Sequence, residues 1–348
     1  MKLRLGAAPL IATATAAIAL AAASIAAATS ASAEKLTVGT LPSTAASPFY
    51  IALERGYFAK EGLEVEMKPF QAAQPIAAAV ASGDIDIGAT ALTAGFYNLA
   101  AKADLHVIGG MLREAKGYKG SAILASNKAY AAGLTDVSKM PGHSLAITQT
   151  GSSFHYMIGR IAEKLGFDLG KVQLRVLQTV PNMLAAVQTD QVDAALALRD
   201  FANPLAEAGK LKIIGWVSDY IPYQTTALFI SQKTLSAHRD AVERFARAYQ
   251  HGVNDYREDF LTKGADGKPV YTAETEAAIA MINKYVFKGD PDARAKILAG
   301  TLYFDQDAKL DTEDVRNQVK WFKAQGMVDA AVDADKIIDT SLILALGE

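Results

Sequence analysis

Two stretches of this chain follow one pattern about a hundred residues apart. "ASGDIDIGAT" runs from Ala81 to Thr90, and "QTDQVDAALAL" runs from Gln188 to Leu198. Each passes from a polar turn through an acidic residue into a short apolar run. A pattern written twice at this interval calls for two similar units, each closed by the same strand.

The residues before each stretch support that reading. In the first lap "KLTVGT" (35–40) predicts a strand, "LPSTAASP" a loop, and Ser47–Pro48 a helix start with serine as cap and proline at the first helical position. The helix "FYIALERGYFAKEG" then ends at Gly62, "LEVEMKPF" alternates as a second strand, "AQPIAAAVASG" is a helix with Pro75 in its first turn, and "DIDIGAT" is a third strand. The second lap repeats the order with "HSLAIT", "HYMIGRIAEKLGFDLG", "VQLRVLQ", "TVPNMLAAVQTDQ" and "VDAALAL". Strand–helix–strand spacing of this kind means parallel pairing and an α/β fold. "SAILAS" and "TALFIS" mirror one another and read as the strands that carry the chain between lobes and back. The expected organisation is therefore residues 34–120 in lobe 1, 121–230 in lobe 2, and 231–348 returning to lobe 1. The returning part reads as helices "AHRDAVERFARAYQHGVNDYRED", "TAETEAAIAMINKYVF", "DTEDVRNQVKWFKAQG" and "ADKIIDTSLILALG", covering the first lobe.

Residues 1–33 stand apart from this plan. Lys2 and Arg4 precede an Ala-rich apolar stretch that ends in Ala31-Ser32-Ala33, the pattern of a cleaved secretory signal peptide. The remaining 315 residues carry 33 basic and 37 acidic side chains, a balance that gives no footprint for nucleic acid. The chain has no cysteine, which excludes disulfides, thiolate metal sites, a thiol nucleophile and a lipid anchor on cysteine. A soluble periplasmic monomer is expected.

The phrases "YIALERGYFAKEGLEVE", "AVASGDIDIGAT", "AAVQTDQVDAALAL" and "VKWFKAQGMVDAAVDADKIID" together resemble the nitrate/sulfonate/taurine group of periplasmic substrate-binding proteins. The resemblance spans essentially the whole chain after residue 33. It implies a type II, Venus-flytrap fold, α/β with two lobes, each a βαβαβ-type sheet flanked by helices. It also implies a small-molecule ligand, an ABC permease with its ATPase as partners, and no cofactor. Relatives bind thiamine-pyrimidine precursors or aromatic acids, so the ligand stays open.

In open α/β sheets, ligands meet strand carboxyl ends and helix N-termini, where free N–H groups favour anions. The candidate ligand residues are Ser43, Thr44, Gln71, Thr90 and Thr93 from the first lap, and Thr150, Ser152, Ser153, His155, Thr179 and Arg199 from the second. Thr90, Thr93, Ser152 and Ser153 also fit as plain helix caps. Arg199, at the end of "AALAL" beside Asp200, is the expected guanidinium fork for a carboxylate or sulfonate. Phe49, Tyr50, Phe96, Phe154 and Tyr223 are candidates for an apolar wall. The expected ligand is an organic anion with an apolar or aromatic body. A neutral pyrimidine is the alternative, and it calls for Asp200 facing the cleft with Arg199 turned away. Ligand presentation to a membrane sensor is a further alternative to import.

Motifs for enzymatic chemistry are missing. The chain has no G-x-S-x-G, no Gly-rich phosphate loop and no H-E-x-x-H, and its five histidines show no metal spacing. "DQDAKLDTED" lacks the glycine and final glutamate of a calcium loop. The expectation is a binding protein without metal.

Overall fold

Leu36 and Val38, two residues apart and both buried, fix the inward face of β1 (Glu34–Thr40). The computed structural model describes residue 1, residues 33–343 and residues 345–347; the predicted signal peptide lies outside them except at its two ends. After β1 the chain forms α1 (Ser47–Glu54), α2 (Tyr57–Lys60), β2 (Leu63–Pro69), α3 (Ala73–Ser82), β3 (Ile87–Ala91), α4 (Ala94–Ala103) and β4 (Leu105–Gly110). The short strand β5 (Arg113–Glu114) leads to β6 (Ser121–Ala125), β7 (Ser144–Ile147), α5 (Ser153–Leu165), β8 (Gln173–Val176), α6 (Val180–Gln188), β9 (Ala194–Leu198), α7 (Arg199–Glu207) and β10 (Lys212–Trp216). The chain returns through β11 (Tyr223–Gln224) and β12 (Thr226–Ser231) to α8 (Arg239–Leu261), α9 (Ala273–Asn283), α10 (Thr312–Ala324) and α11 (Ala334–Ile337).

These strands make two five-stranded sheets that match position for position. The first runs β2-β1-β3-β12-β4 and the second β8-β7-β9-β6-β10. In each, the first three strands are parallel, and the fourth runs antiparallel to both its neighbours. The antiparallel strand of each sheet is the one delivered by a crossover, β12 in the first and β6 in the second. The crossovers touch in a two-stranded ribbon, with Tyr223 opposite Glu114 and Gln224 opposite Arg113.

The repeated sequence pattern has a shared structural cause. The Thr37 N–H and hydroxyl both donate to Asp86 Oδ2 at 2.8 Å, and the Asp86 N–H donates back to the Thr37 hydroxyl at 2.9 Å. In the second sheet the Ser144 N–H and hydroxyl donate to Asp193 Oδ2 at 2.8 and 2.9 Å, and the Asp193 N–H donates back to Ser144 at 2.9 Å. Both pairs are 49 residues apart. Each aspartate therefore pins the start of a third strand to the first strand, satisfying donors that the ladder leaves free.

Three features differ from the sequence expectation. The helix expected through Gly62 breaks at Gly56, whose φ of 71° is left-handed and ends α1. Ser47 does not cap it; a 3-10 turn precedes α1, and Ser43 caps that turn by accepting from the Ala45 N–H at 3.3 Å. The last expected helix is only one turn long. After α11 the tail runs along the edge of the first sheet, where Ile338 bridges Val107 and the Asp339 N–H donates to the Val107 carbonyl at 2.9 Å. An edge strand needs such cover, and this need outweighs a weak helical preference.

The return segment also does more than cover the first sheet. α8 shows a 3.6-residue burial period and packs on α1, with the Phe49 and Tyr249 rings stacked at 4.4 Å. Gly252 permits that approach, since a Cβ there would lie 2.3 Å from the Pro48 carbonyl oxygen. α10 instead reaches the second sheet's helix α5. The Trp321 indole lies over Gly159, where a Cβ would come within 2.1 Å of the ring, and its N–H donates to Glu163 at 2.8 Å.

Candidate functional site

The carboxyl ends of β1, β3, β7 and β9 face one another across a cleft between the two sheets. The sequence at those ends is small and hydroxylic, so the backbone lies close to the space. From the first sheet's side come Thr40, Ser43, Gln74, Thr90 and Thr93, and from the second Thr148, Gln149, Ser152 and Ser153. Ser121, Thr225 and Thr226 enter from the crossover strands. Leu41, Met111, Phe154, Met157, Leu198 and Phe201 supply apolar wall. None of the described residues lining the cleft carries an ionisable side chain.

Two helix N-termini open into this space with unused donors. The cap position of α3 is Ala72, which offers no side-chain acceptor, so the Ala73 and Gln74 N–H groups have no partner within the helix. At α5 the Ser152 hydroxyl accepts from the His155 N–H at 3.3 Å, which leaves the Ser153 and Phe154 N–H groups. Each end carries the positive pole of its helix dipole. The cleft is thus electropositive through backbone groups, without a lysine or arginine.

The two sides already touch beside the cleft. The Ala94 N–H at the start of α4 donates to the Gly151 carbonyl at 2.9 Å. The Thr44 N–H donates to the Asp200 carboxylate at 2.9 Å. Gln74 Oε1 accepts from the Thr93 hydroxyl at 2.8 Å and faces the Gln149 amide at 3.4 Å.

Of the residues singled out from sequence, the structure brings Ser43, Thr90, Thr93, Ser152 and Ser153 to the cleft. It places the others elsewhere. Thr44 is buried in a structural role, bonded to Asp200 and, through its hydroxyl, to the Gly300 carbonyl at 2.9 Å. Gln71 and Thr150 are exposed outside the cleft lining, and Thr179 caps α6 by accepting from the Asn182 N–H at 3.3 Å. His155 points away from the cleft. Its Nδ1 accepts from the Gly151 N–H at 3.2 Å, its ring meets Trp321 edge-on, and burial lowers its pKa.

Arg199 departs furthest from its expected place. β9 runs straight into α7 at this residue, so side chains stop alternating and step by about 100° each. Leu198 and Phe201 line the cleft, while the Arg199 guanidinium donates to the Thr301 carbonyl at 3.3 Å in a separate cavity. Asp200 does not line the cleft either; it is buried, and burial raises its pKa against the opposing N–H bonds from Thr44 and Phe201. Of the five aromatic candidates only Phe154 lines the cleft. Phe49, Tyr50, Phe96 and Tyr223 are core residues, held by ring contacts with Tyr249, Tyr285, Phe229 and Tyr156.

Gln74, Gln149, Thr225 and Thr226 went unnoticed in the sequence. The last two open the return strand "TALFIS", and symmetry with Ser121 at the head of "SAILAS" was the available signal. Among the described residues no cluster of three or more histidines and carboxylates could hold a metal ion, and no helix is long and apolar enough to cross a membrane.

Residues 43–259 match the family model described as NMT1/THI5 like. No curated protein matches the chain. Several solved structures share its fold. The alkanesulfonate-binding protein SsuA from Xanthomonas axonopodis pv. citri, bound to MOPS, is 18% identical with a TM-score of 0.68, covering 88% of this chain and 98% of that one. The periplasmic aliphatic sulphonate binding protein SsuA from Escherichia coli is 18% identical with a TM-score of 0.67, covering 90% and 94%. The periplasmic nitrate-binding protein NrtA from Synechocystis PCC 6803 is 16% identical with a TM-score of 0.65, covering 88% and 86%. The expected two-lobed periplasmic-binding-protein fold is the fold of this chain.

Proposed function

The chain belongs to the NMT1/THI5-like family, and from that membership and the make-up of its cleft we propose that it captures a small organic anion between its lobes and delivers it to an ABC import permease. The anion is a sulfonate or carboxylate with an apolar body. One observation carries this reading: the N-termini of α3 and α5, each with unused N–H groups, line a cleft that no carboxylate lines among the described residues. A sulfonate offers oxygens to several such donors at once, and the helix poles stabilise its charge. Leu41, Met111, Met157 and Phe201 suit the apolar body. The sulfonate-binding and nitrate-binding structural neighbours agree with this chemistry.

A neutral heterocycle such as a pyrimidine is the second reading, favoured by the absence of any lysine or arginine from the cleft lining. Calorimetric titration of the purified chain against alkanesulfonates, small carboxylates and pyrimidines separates the two. Tight binding of an uncharged pyrimidine with no response to any anion would overturn the first. The same protein acts in the periplasm as a monomer, exported by residues 1–33 and partnered by a permease and its ATPase. Intact mass of periplasmic material starting at Glu34 tests the export step. Loss of ligand uptake on deletion of the gene tests import against presentation to a membrane sensor.

A further inference from the structure

Arg199 lies in a second cavity, which has no described lining residue in common with the cleft. Three segments build it: the crossover loop with Tyr118 and Lys119, the start of α7 with Arg199, and the return segment with Lys263, Tyr271 and Thr301. We propose that this cavity is a second ligand site, which takes a small aromatic carboxylate or sulfonate.

The charge pattern is the main argument. Among the described residues three cations, Lys119, Arg199 and Lys263, line the cavity, and no carboxylate does. Several part-buried arginines elsewhere pair with a carboxylate, as in Arg55 with Asp259, Arg113 with Asp305 and Arg244 with Glu34, while Arg257, like Arg199, donates to a backbone carbonyl. Among the described residues none of the three cavity cations has a carboxylate within ion-pair distance. Lys263 sits over the Tyr118 ring at 4.4 Å and Lys119 over Trp216 at 5.3 Å, contacts to π faces that carry no formal charge. Arg199 is half-buried; its Nε is buried with no acceptor, as is the nearby Thr301 hydroxyl. The Arg199 guanidinium lines the cavity without a carboxylate partner, and such a cation suits a carboxylate or sulfonate. Tyr118, Tyr271, Phe260, Leu261 and Leu298 wall the rest, which selects an anion with a flat apolar body over a bare inorganic one.

The test uses benzoate and inorganic sulfate as probes in calorimetric titrations of the full chain. The expected result is benzoate binding that Arg199→Gln and Lys263→Gln each weaken by about tenfold or more, with sulfate a much poorer competitor. The cleft is itself proposed to take carboxylates, so the titrations are repeated in Ser153→Asp, which weakens cleft capture; the benzoate binding that remains there should still fall about tenfold on adding Lys263→Gln. Lys263 is exposed on a turn, so its variant reports even where Arg199→Gln fails to fold. No benzoate binding at about 10 mM, or unaltered affinity in Lys263→Gln and in a folded Arg199→Gln, overturns the site. So does loss of binding in Ser153→Asp alone, which would put benzoate in the cleft. Sulfate competing as well as benzoate overturns the aromatic part of the assignment.

Discussion

The Asp200 carboxylate, at the start of α7 beside the second sheet, accepts the backbone N–H of Thr44 beside the first at 2.9 Å. Both groups are buried, so removing one leaves the other without a partner. Asp200→Ala should weaken ligand binding and lower the unfolding free energy by about 1.5–3 kcal/mol. Asp200→Asn keeps an oxygen for the Thr44 N–H and should recover most of that loss. Calorimetry and urea unfolding on both variants check this; equal losses would assign the effect to charge and not to the hydrogen bond.

Gly151 and Ala94 form the second contact. Gly151 has φ 76°, and a Cβ on it would lie 2.6 Å from the Ala94 Cβ. Gly151→Ala carries left-handed strain of about 1–2 kcal/mol and also pushes the two loops apart. It should expand the protein in small-angle scattering and weaken ligand binding by about tenfold. Adding Ala94→Gly relieves the clash but leaves the strain, so compaction should return while part of the stability loss remains.

The paired clamps make a third test. Asp86 and Asp193 perform the same task in different sheets, and their strands share no hydrogen-bond partner. Asp86→Ala and Asp193→Ala should each lower stability by about 1–3 kcal/mol, and the double variant should lose the sum within about 0.5 kcal/mol. Denaturant unfolding measures all three.

Those clamps explain why the fold was legible. An aspartate at the head of each third strand is a local pattern with one geometric use, and it recurs because the sheets repeat. The crossover strands were legible for the same reason, since "SAILAS" and "TALFIS" fill equivalent places. The cleft was legible by position and not by residue. Strand ends could be located, but which side chain turns inward depends on where a strand becomes a helix. Arg199 fell on the wrong side of such a junction, and Gln74 entered because Gly95 has no Cβ: one placed there would lie 2.4 Å from Gln74 Oε1. The tail after Ile337 was misread because its conformation is set by the edge of β4, a partner more than 200 residues away.

The crossover ribbon should make stability depend on pH. Glu114 in β5 is fully buried, and desolvation pushes its carboxyl up to about 7 despite the Ser121 N–H it accepts at 2.7 Å. Asp314, which accepts the β11 Gln224 N–H at 2.8 Å, is pushed up to about 6 in the same way. A carboxyl with a raised folded pKa holds its proton more tightly when folded. Its contribution is therefore complete below the unfolded value near 4.5 and is lost as pH rises towards 7. For Glu114 the change is about 3 kcal/mol. Glu114→Gln keeps an acceptor for Ser121 and should flatten that part of the profile. Unfolding free energies at pH 5 and pH 8 decide it, and a wild-type slope in the variant would rule Glu114 out.

The charge of the cleft ligand can be tested by placing a carboxylate among the donors. Ser153 is the first residue of α5 and lines the cleft, with its N–H free. Ser153 is buried, so aspartate there gains the helix dipole but loses hydration, and Ser153→Asp should stay within about 1 kcal/mol of the parent. For an anionic ligand the same carboxylate is a like charge within about 4 Å, worth about 4 kcal/mol at an effective dielectric of about 20. Binding of a sulfonate or carboxylate should fall on the order of a hundredfold or more, while the melting temperature holds. A neutral pyrimidine meets no such repulsion and should lose at most a few-fold, about the cost of one displaced hydroxyl. Melting curves and calorimetry on this one variant therefore separate the two readings, since a stable protein with unimpaired affinity for its native ligand leaves only the uncharged one.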